Sequence, residues 1–351
     1  MLYRAIKSVI ILGLLLSFVS CVSISTLNLD VLRPAMATIE PEIVSVLVMD
    51  NSLPFRGDSI HKIITPKEKY IIDTIWVDNF GEIAATSMAD ALRSKFFFDS
   101  VYYHNNSTKL YPSESRYFSE EIINKRIESF CDVYDVEAII SLEQYNYETE
   151  LNFVDFTDFY YGSLDVSGGI YWKIYGKDGK ILDMYVQTDS IFWDDHKSNY
   201  SSILKSLPSQ PEAVEVLADY MGETYINRIT PYWETVQRKY FMGGHHLFLR
   251  ANDLHKANNW EDAAKVWYYV YEHGNSKQKA RAAFNIALSY EVRGDFDEAI
   301  AWGDISQQLF EKLGGLKASQ YDKGLSKLYY IQLSERYQQK KRLDAQIGEQ
   351  M

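Results

Sequence analysis

Apolar positions fall into two regimes along this chain. Up to about residue 230, strand-like runs and alternations interleave with helical stripes; beyond about 245 the spacing is helical throughout. Ile43-Val44-Ser45-Val46-Leu47-Val48-Met49 is an apolar run of strand length. Residues 51–70 read as irregular. Gly81 to Phe97 predicts a helix, with Ile83, Met88, Ala91, Leu92 and Phe96 near helical spacing. A short strand, Ser100 to His104, follows. Ser119 is placed as the N-cap of a second helix reaching about Asp132, and Val136 to Tyr147 is strand-like again.

The clearest strand signal comes next. Leu164, Val166, Gly168, Ile170, Trp172 and Ile174 alternate with Asp165, Ser167, Gly169, Tyr171 and Lys173. Gly176-Lys177-Asp178-Gly179-Lys180 breaks the run, and Ile181 to Trp193 resumes it, which predicts a hairpin. Pro211 to Ile229 is a helix with Pro in its first turn and an apolar stripe of Val214, Leu217, Ala218, Met221, Tyr225 and Ile229; Pro231 ends it. This order predicts a mixed-sheet α/β sandwich over 43–235, with an all-α domain over 240–346. By element order alone it is similar to the small domain of curli-assembly-type and related periplasmic lipoproteins, an analogy of fold that carries no activity.

The second regime is repetitive. Over residues 245–315, Ala251 aligns with Ala287, Leu254 with Tyr290, Asn258 with Gly294, Trp260 with Phe296, and Ala263 with Ala299, a period of 36 residues. Small residues where two helices cross, and a turn residue between them, resemble tetratricopeptide (TPR) repeats of about 34 residues. The two additional residues fall in Gly274-Asn275-Ser276, and Tyr321 to Gln346 reads as a capping helix. TPR surfaces bind peptides, so Tyr268, Tyr269, Tyr271 and Tyr290 are the candidate partner-binding residues.

The N-terminus changes the picture from fold to address. Arg4 and Lys7 precede an apolar stretch, and Ser17-Phe18-Val19-Ser20-Cys21 follows. Charge, apolar core and a small residue before the cut form a signal-peptide layout over 1–20. At about 11 residues the apolar stretch is short for a ~30 Å hydrocarbon core. The cysteine after a small residue resembles the lipobox of bacterial lipoproteins, which implies that Cys21 is acylated and that 21–42 forms a tether. Val22-Ser23-Ile24-Ser25 lacks an acidic run, which points to a periplasmic face. Cys131 is then the second and last cysteine, placed in a helix core, so no disulfide framework is expected.

The junction Arg228-Ile229-Thr230-Pro231-Tyr232-Trp233-Glu234, followed by Arg238-Lys239-Tyr240-Phe241 and the repeats, resembles a family of outer-membrane-type lipoproteins from gut and oral anaerobes. The resemblance implies a lipobox, an α/β segment, TPR-like helices and an outer-membrane location. It implies no activity.

Loss of Arg4 and Lys7 with the leader takes the net charge from −12 to −14, which argues against nucleic acid and against electrostatic docking on anionic lipid. The 27 tyrosines suit sugar-rich or protein-rich surfaces and equally suit half-buried strands. Asp194-Asp195-His196 and His245-His246 with His255 offer metal-ligand types without convergent spacing, so no metal or other cofactor is expected. Asp155, Asp158 and Asp165 are the acids a hydrolase would draw on, but no nucleophile elbow, phosphate loop, zinc motif or dinucleotide fingerprint is present. Asp-Ser/Thr before an aliphatic residue occurs at Ser59, Thr74, Ser100 and Ser190, similar to the O-glycosylation site of extracytoplasmic proteins in that bacterial group. The expectation is therefore a non-enzymatic, lipid-anchored scaffold with a protein partner. A glycan- or small-ligand-binding accessory is the alternative, and a hydrolase is the third reading.

Overall fold

The computed structural model describes residues 24–53, 57, 59–72, 75–105, 124–314 and 320–347. The predicted leader 1–20, Cys21, Thr74 and the Ser119 cap lie outside the described residues. The chain divides into two compact units, one of residues 35–232 and one of residues up to 34 with 233–345. A mixed α/β fold precedes an all-helical segment, as the periodicity indicates. Among the described residues no helix is long and apolar enough to cross a membrane.

The first unit is built on the longest strand, β6 (Ala138–Asp155). Along one edge, β2 (Ser45–Asp50) pairs parallel with its first half and β3 (Ser59–Ile64) with its second half. β5 (Ser100–His104) lies parallel to β2, and β4 (Lys69–Ile72) antiparallel to β3. Along the other edge, β7 (Tyr160–Gly176) runs antiparallel to β6 over its whole length, and β8 (Ile181–Lys197) antiparallel to β7. The turn between them is the predicted one: Gly179 has φ 81, and Gly176 N–H donates to the Lys180 carbonyl. Residues 51–70, read as irregular, contain β3 and the start of β4. Their alternation is weak because Ile63-Ile64 interrupts it.

Helix α1 (Phe80–Lys95) covers one face of the sheet, α2 (Asn124–Tyr134) the other face, followed in the chain by α3 (Tyr200–Ser206) and α4 (Gln210–Ile229). Phe80, Met88 and Leu92 of α1 share one core with Val214, Leu217 and Met221 of α4 and with Leu164, Val166, Ile170 and Trp172 of β7. On the opposite face, Ile127 and Cys131 of α2 pack on Leu47, Met49, Ile139 and Tyr175. α4 starts where the sequence placed it because Ser209 and Glu212 form a reciprocal capping box with Pro in the first turn.

Gly222 sets how closely α1 and α4 cross, since a methyl group there would collide with the Ala84 carbonyl oxygen. Gly222→Ala therefore destabilises the unit by roughly 1–3 kcal/mol through overpacking. This outweighs the ~1 kcal/mol gained in helix propensity. A melting temperature above wild type would contradict that close approach.

The second unit corrects the predicted tether. Ile24–Arg33 is a strand, β1, paired with β9 (Tyr232–Phe241), which runs through the predicted inter-domain junction. The physical reason is the alternation of Leu27, Leu29 and Val31 with Asn28 and Asp30, which gives one face an apolar row. The units accordingly divide after Tyr232.

Helices α5 (His246–Lys256), α6 (Trp260–His273), α7 (Ser276–Arg293) and α8 (Phe296–Lys312) form two hairpins in the predicted register, followed by α9 (Gln320–Ile347). Asn258 and Gly294, aligned by the repeat, both take left-handed conformations, φ 58 and φ 84. Trp260 and Phe296 both open the second helix of their pair. Ala251, Ala263, Ala287 and Ala299 are all buried at the crossings.

Candidate functional site

The helical unit holds an extended segment of its own chain. Along α7, Gln278, Arg281, Asn285 and Glu291 form a polar stripe facing β9 and the turn after it. Asn285 grips the Phe241 backbone at two points: its oxygen accepts from the amide at 2.9 Å and its amide donates to the carbonyl at 2.7 Å. Arg281 Nη1 donates to the Gly243 carbonyl at 3.0 Å and Gln278 to the Gly244 carbonyl at 2.7 Å. Arg238 of β9 reaches Glu291 with Nε at 3.0 Å and Nη2 at 2.8 Å, and Tyr329 of α9 donates to the other Glu291 oxygen at 2.8 Å. Side-chain exposures of 6% and 0% make this an ion pair out of reach of solvent. Burial, then the Glu291 carboxylate, pushes the Tyr329 hydroxyl well above its ordinary value. Sequence reasoning missed this stripe, although polar residues at helical spacing within the Ala-rich α7 were a visible signal.

The predicted partner-binding tyrosines separate. Tyr268 and Tyr290 bond through their hydroxyls at 2.8 Å, and Tyr268 and Tyr271 meet the Trp302 ring edge-on. Burial, then the bond to Tyr290, raises the Tyr268 hydroxyl. These three join helices. Tyr269 alone of the four is exposed, stacked on His273.

Among the described residues no group of three or more His, Cys, Asp and Glu is placed to hold a metal ion. Asp195 pairs with Lys197, and that bond, with Ser206 next, holds its carboxyl down at about 2. Asp194 and His196 point to the opposite face of β8. His245 and His246 stack on each other, whereas His255 is buried against Tyr240 and Trp260. Burial lowers His255 and likewise His61, whose Nδ1 meets Thr149 Oγ1 at 2.7 Å. Asp165 lies opposite Glu150, with the Asn152 amide donating to both; Asp155 lies five register positions away, about 17 Å at ~3.4 Å per residue. That exceeds the 5–10 Å of a glycosidase pair. Cys131 is a buried free thiol raised by burial. Of the modification candidates, Ser190 is exposed in mid-strand, whereas Ser59 and Ser100 are half-buried first residues of β3 and β5.

The first unit leaves two surfaces open. β8 is an edge strand of 17 residues: among the described residues its only partner is β7. Met184, Val186, Thr188, Ser190, Phe192, Asp194 and His196 alternate as exposed residues along one face. Its inner side is fixed by α4, through Arg228 to Asp183 at 2.8 Å and Gln187 to Thr224 at 3.0 Å. The second surface is a trough across β6, β7 and β8 on that exposed face. Its floor is the cross-strand row Asn146–Gly169–Thr188.

These features define a two-part protein, a mixed sheet with an edge strand that has one partner among the described residues and a helical unit that clasps its own strand. Residues 43–241, more than half of the chain, match the family described as Domain of unknown function (DUF8603), and the chain belongs to that family. Residues 249–335 are similar to a second one, Domain of unknown function (DUF6340). No curated protein matches the chain.

Proposed function

We propose that the chain is a lipoprotein, anchored through an acylated Cys21 to the outer membrane and facing the periplasm, that serves as a protein-binding scaffold. The docking element is β8, which takes up an extended segment of a partner by backbone pairing. The observation that carries this is the length of the open edge, whose only charges from Leu182 to Asp195 are acidic. Natural edges are protected by Lys, Pro or bulges, yet Leu182 to Asp195 contains no Lys, Arg or Pro, and the one irregularity in the β7–β8 register lies at its start.

The partner segment alternates apolar and basic residues. Apolar side chains would cover Met184, Val186 and Phe192, and basic ones, on the opposite face of the pairing strand, would meet Asp189. A second copy is disfavoured, because each chain without its leader would carry −14 and would bring the same acids together. The TPR-like pairs take a bracing role in this reading. Their polar stripe already grips β9, which supports binding in cis rather than an open peptide groove.

The test is photo-crosslinking in native membranes from Met184 and Phe192, with Leu249 on the exposed side of α5 as comparison. Crosslinks from both β8 positions to one partner peptide of alternating apolar and basic sequence are expected. Crosslinks only from Leu249 would transfer the docking role to the helices.

A further inference from the structure

Apart from Val186 and Asp189, the trough is made of residues that the docking of a strand along β8 does not use. Three cross-strand rows build it on the exposed face. Gln144–Tyr171–Val186 forms one wall, Asn146–Gly169–Thr188 the floor, and Ile60–Glu148–Ser167–Ser190 the other wall. Two adjoining cavities of about 570 and 360 Å³ share Asn146, Gly169 and Thr188. Both volumes fall in the range of small-ligand sites, roughly 300–1,000 Å³. The depression exists because Gly169 has no side chain. A Cβ there would stand 2.6 Å from Asn146 Oδ1, so the carboxamide lies across the glycine.

We propose that this trough binds a neutral saccharide. Gln144 and Asn146 each offer a donor and an acceptor from one planar amide, and Ser167, Thr188 and Ser190 each donate and accept. Paired donor–acceptor groups of this kind match adjacent hydroxyls on a pyranose ring. The half-exposed Tyr171 ring beside Val186 supplies an apolar surface for the ring's C–H face. Charge argues for neutrality. Among the described residues no Lys, Arg or His lines either cavity. Of the two acids that do, Glu148 is paired with Lys62 and Asp189 accepts from Gln187 at 3.2 Å. A phosphate or carboxylate ligand would meet no cation among those lining residues, and an acidic chain. The inference stands on the row composition and is independent of whether β8 pairs with a partner strand.

Titration of the purified full chain with maltotetraose, cellotetraose, mannotetraose and chitotetraose, with sialyllactose as the anionic counterpart, tests it by calorimetry and saturation-transfer NMR. At least one neutral tetrasaccharide binds, and sialyllactose does not. Gly169→Val, which fills the floor, weakens binding at least about tenfold while leaving the melting temperature near wild type. Tyr171→Ala and Thr188→Val weaken it as well and decide the matter if the valine variant does not fold. The proposal is overturned if no neutral sugar binds at about 10 mM, if sialyllactose binds equally well, or if these variants bind as wild type does.

Discussion

Glu291→Ala costs the helical unit about 3–5 kcal/mol and lowers its melting temperature on the order of 10 °C. The substitution strands the Arg238 guanidinium, 6% exposed, with its carboxylate partner gone, and removes the acceptor of the Tyr329 hydroxyl. The loss is large because an uncompensated buried charge keeps its desolvation penalty. It does not measure the worth of the pair itself. For that reason the double variant Arg238→Met/Glu291→Leu recovers most of the stability, since two apolar side chains of similar volume need no solvation. Thermal unfolding followed by circular dichroism decides this. A Glu291→Ala variant within about 1 kcal/mol of wild type would mean that the strand β9 is not held as described.

The second large effect is in location rather than stability. Under the proposed lipid anchor, Cys21→Ser shifts the protein from the membrane fraction to the soluble extracytoplasmic fraction, because the acyl chains would rest on that one sulfur and amine, at about 0.8 kcal/mol for each buried CH₂. Cys131→Ser leaves the fractionation unchanged, since that thiol is buried between α2 and the sheet. Fractionation with mass measurement of the mature N-terminus reads both. A Cys21→Ser protein that stays with the membrane would remove the lipid anchor from the proposal.

The sequence was most informative where period and turn chemistry agreed. The strict alternation from Leu164 to Ile174, ended by Asp178-Gly179, gave β7, its turn and β8, because one buried face and a left-handed glycine leave few alternatives. Asn258 and Gly294 aligned because both helical pairs need a left-handed residue at the same place.

What was not legible depended on pairing between distant segments. Leu27, Leu29 and Val31 alternate visibly, yet the strand β9 that makes them a ribbon lies some 200 residues away (Thr235 bonds to Asp30), and Pro34 with the polar residues around it suggested a tether. The Tyr268 and Tyr271 spacing shows that they share a helix face, but not that Trp302 covers it. Likewise Gly168-Gly169 stood out within an alternating strand. That Asn146 and Thr188 flank Gly169 follows only from the register.

The central claim is that β8 is an open edge awaiting a strand, and hydrogen exchange on the full chain measures it directly. In the free protein every second amide of β8 between Leu182 and Asp195 should exchange rapidly, while the amides of β7 stay protected on both sides by β6 and β8. Adding a synthetic peptide of alternating valine and lysine should slow those same β8 amides and leave α5 to α9 unchanged. Full protection of β8 in the free monomer, or protection that appears only in the helical unit when the peptide is added, would contradict the account.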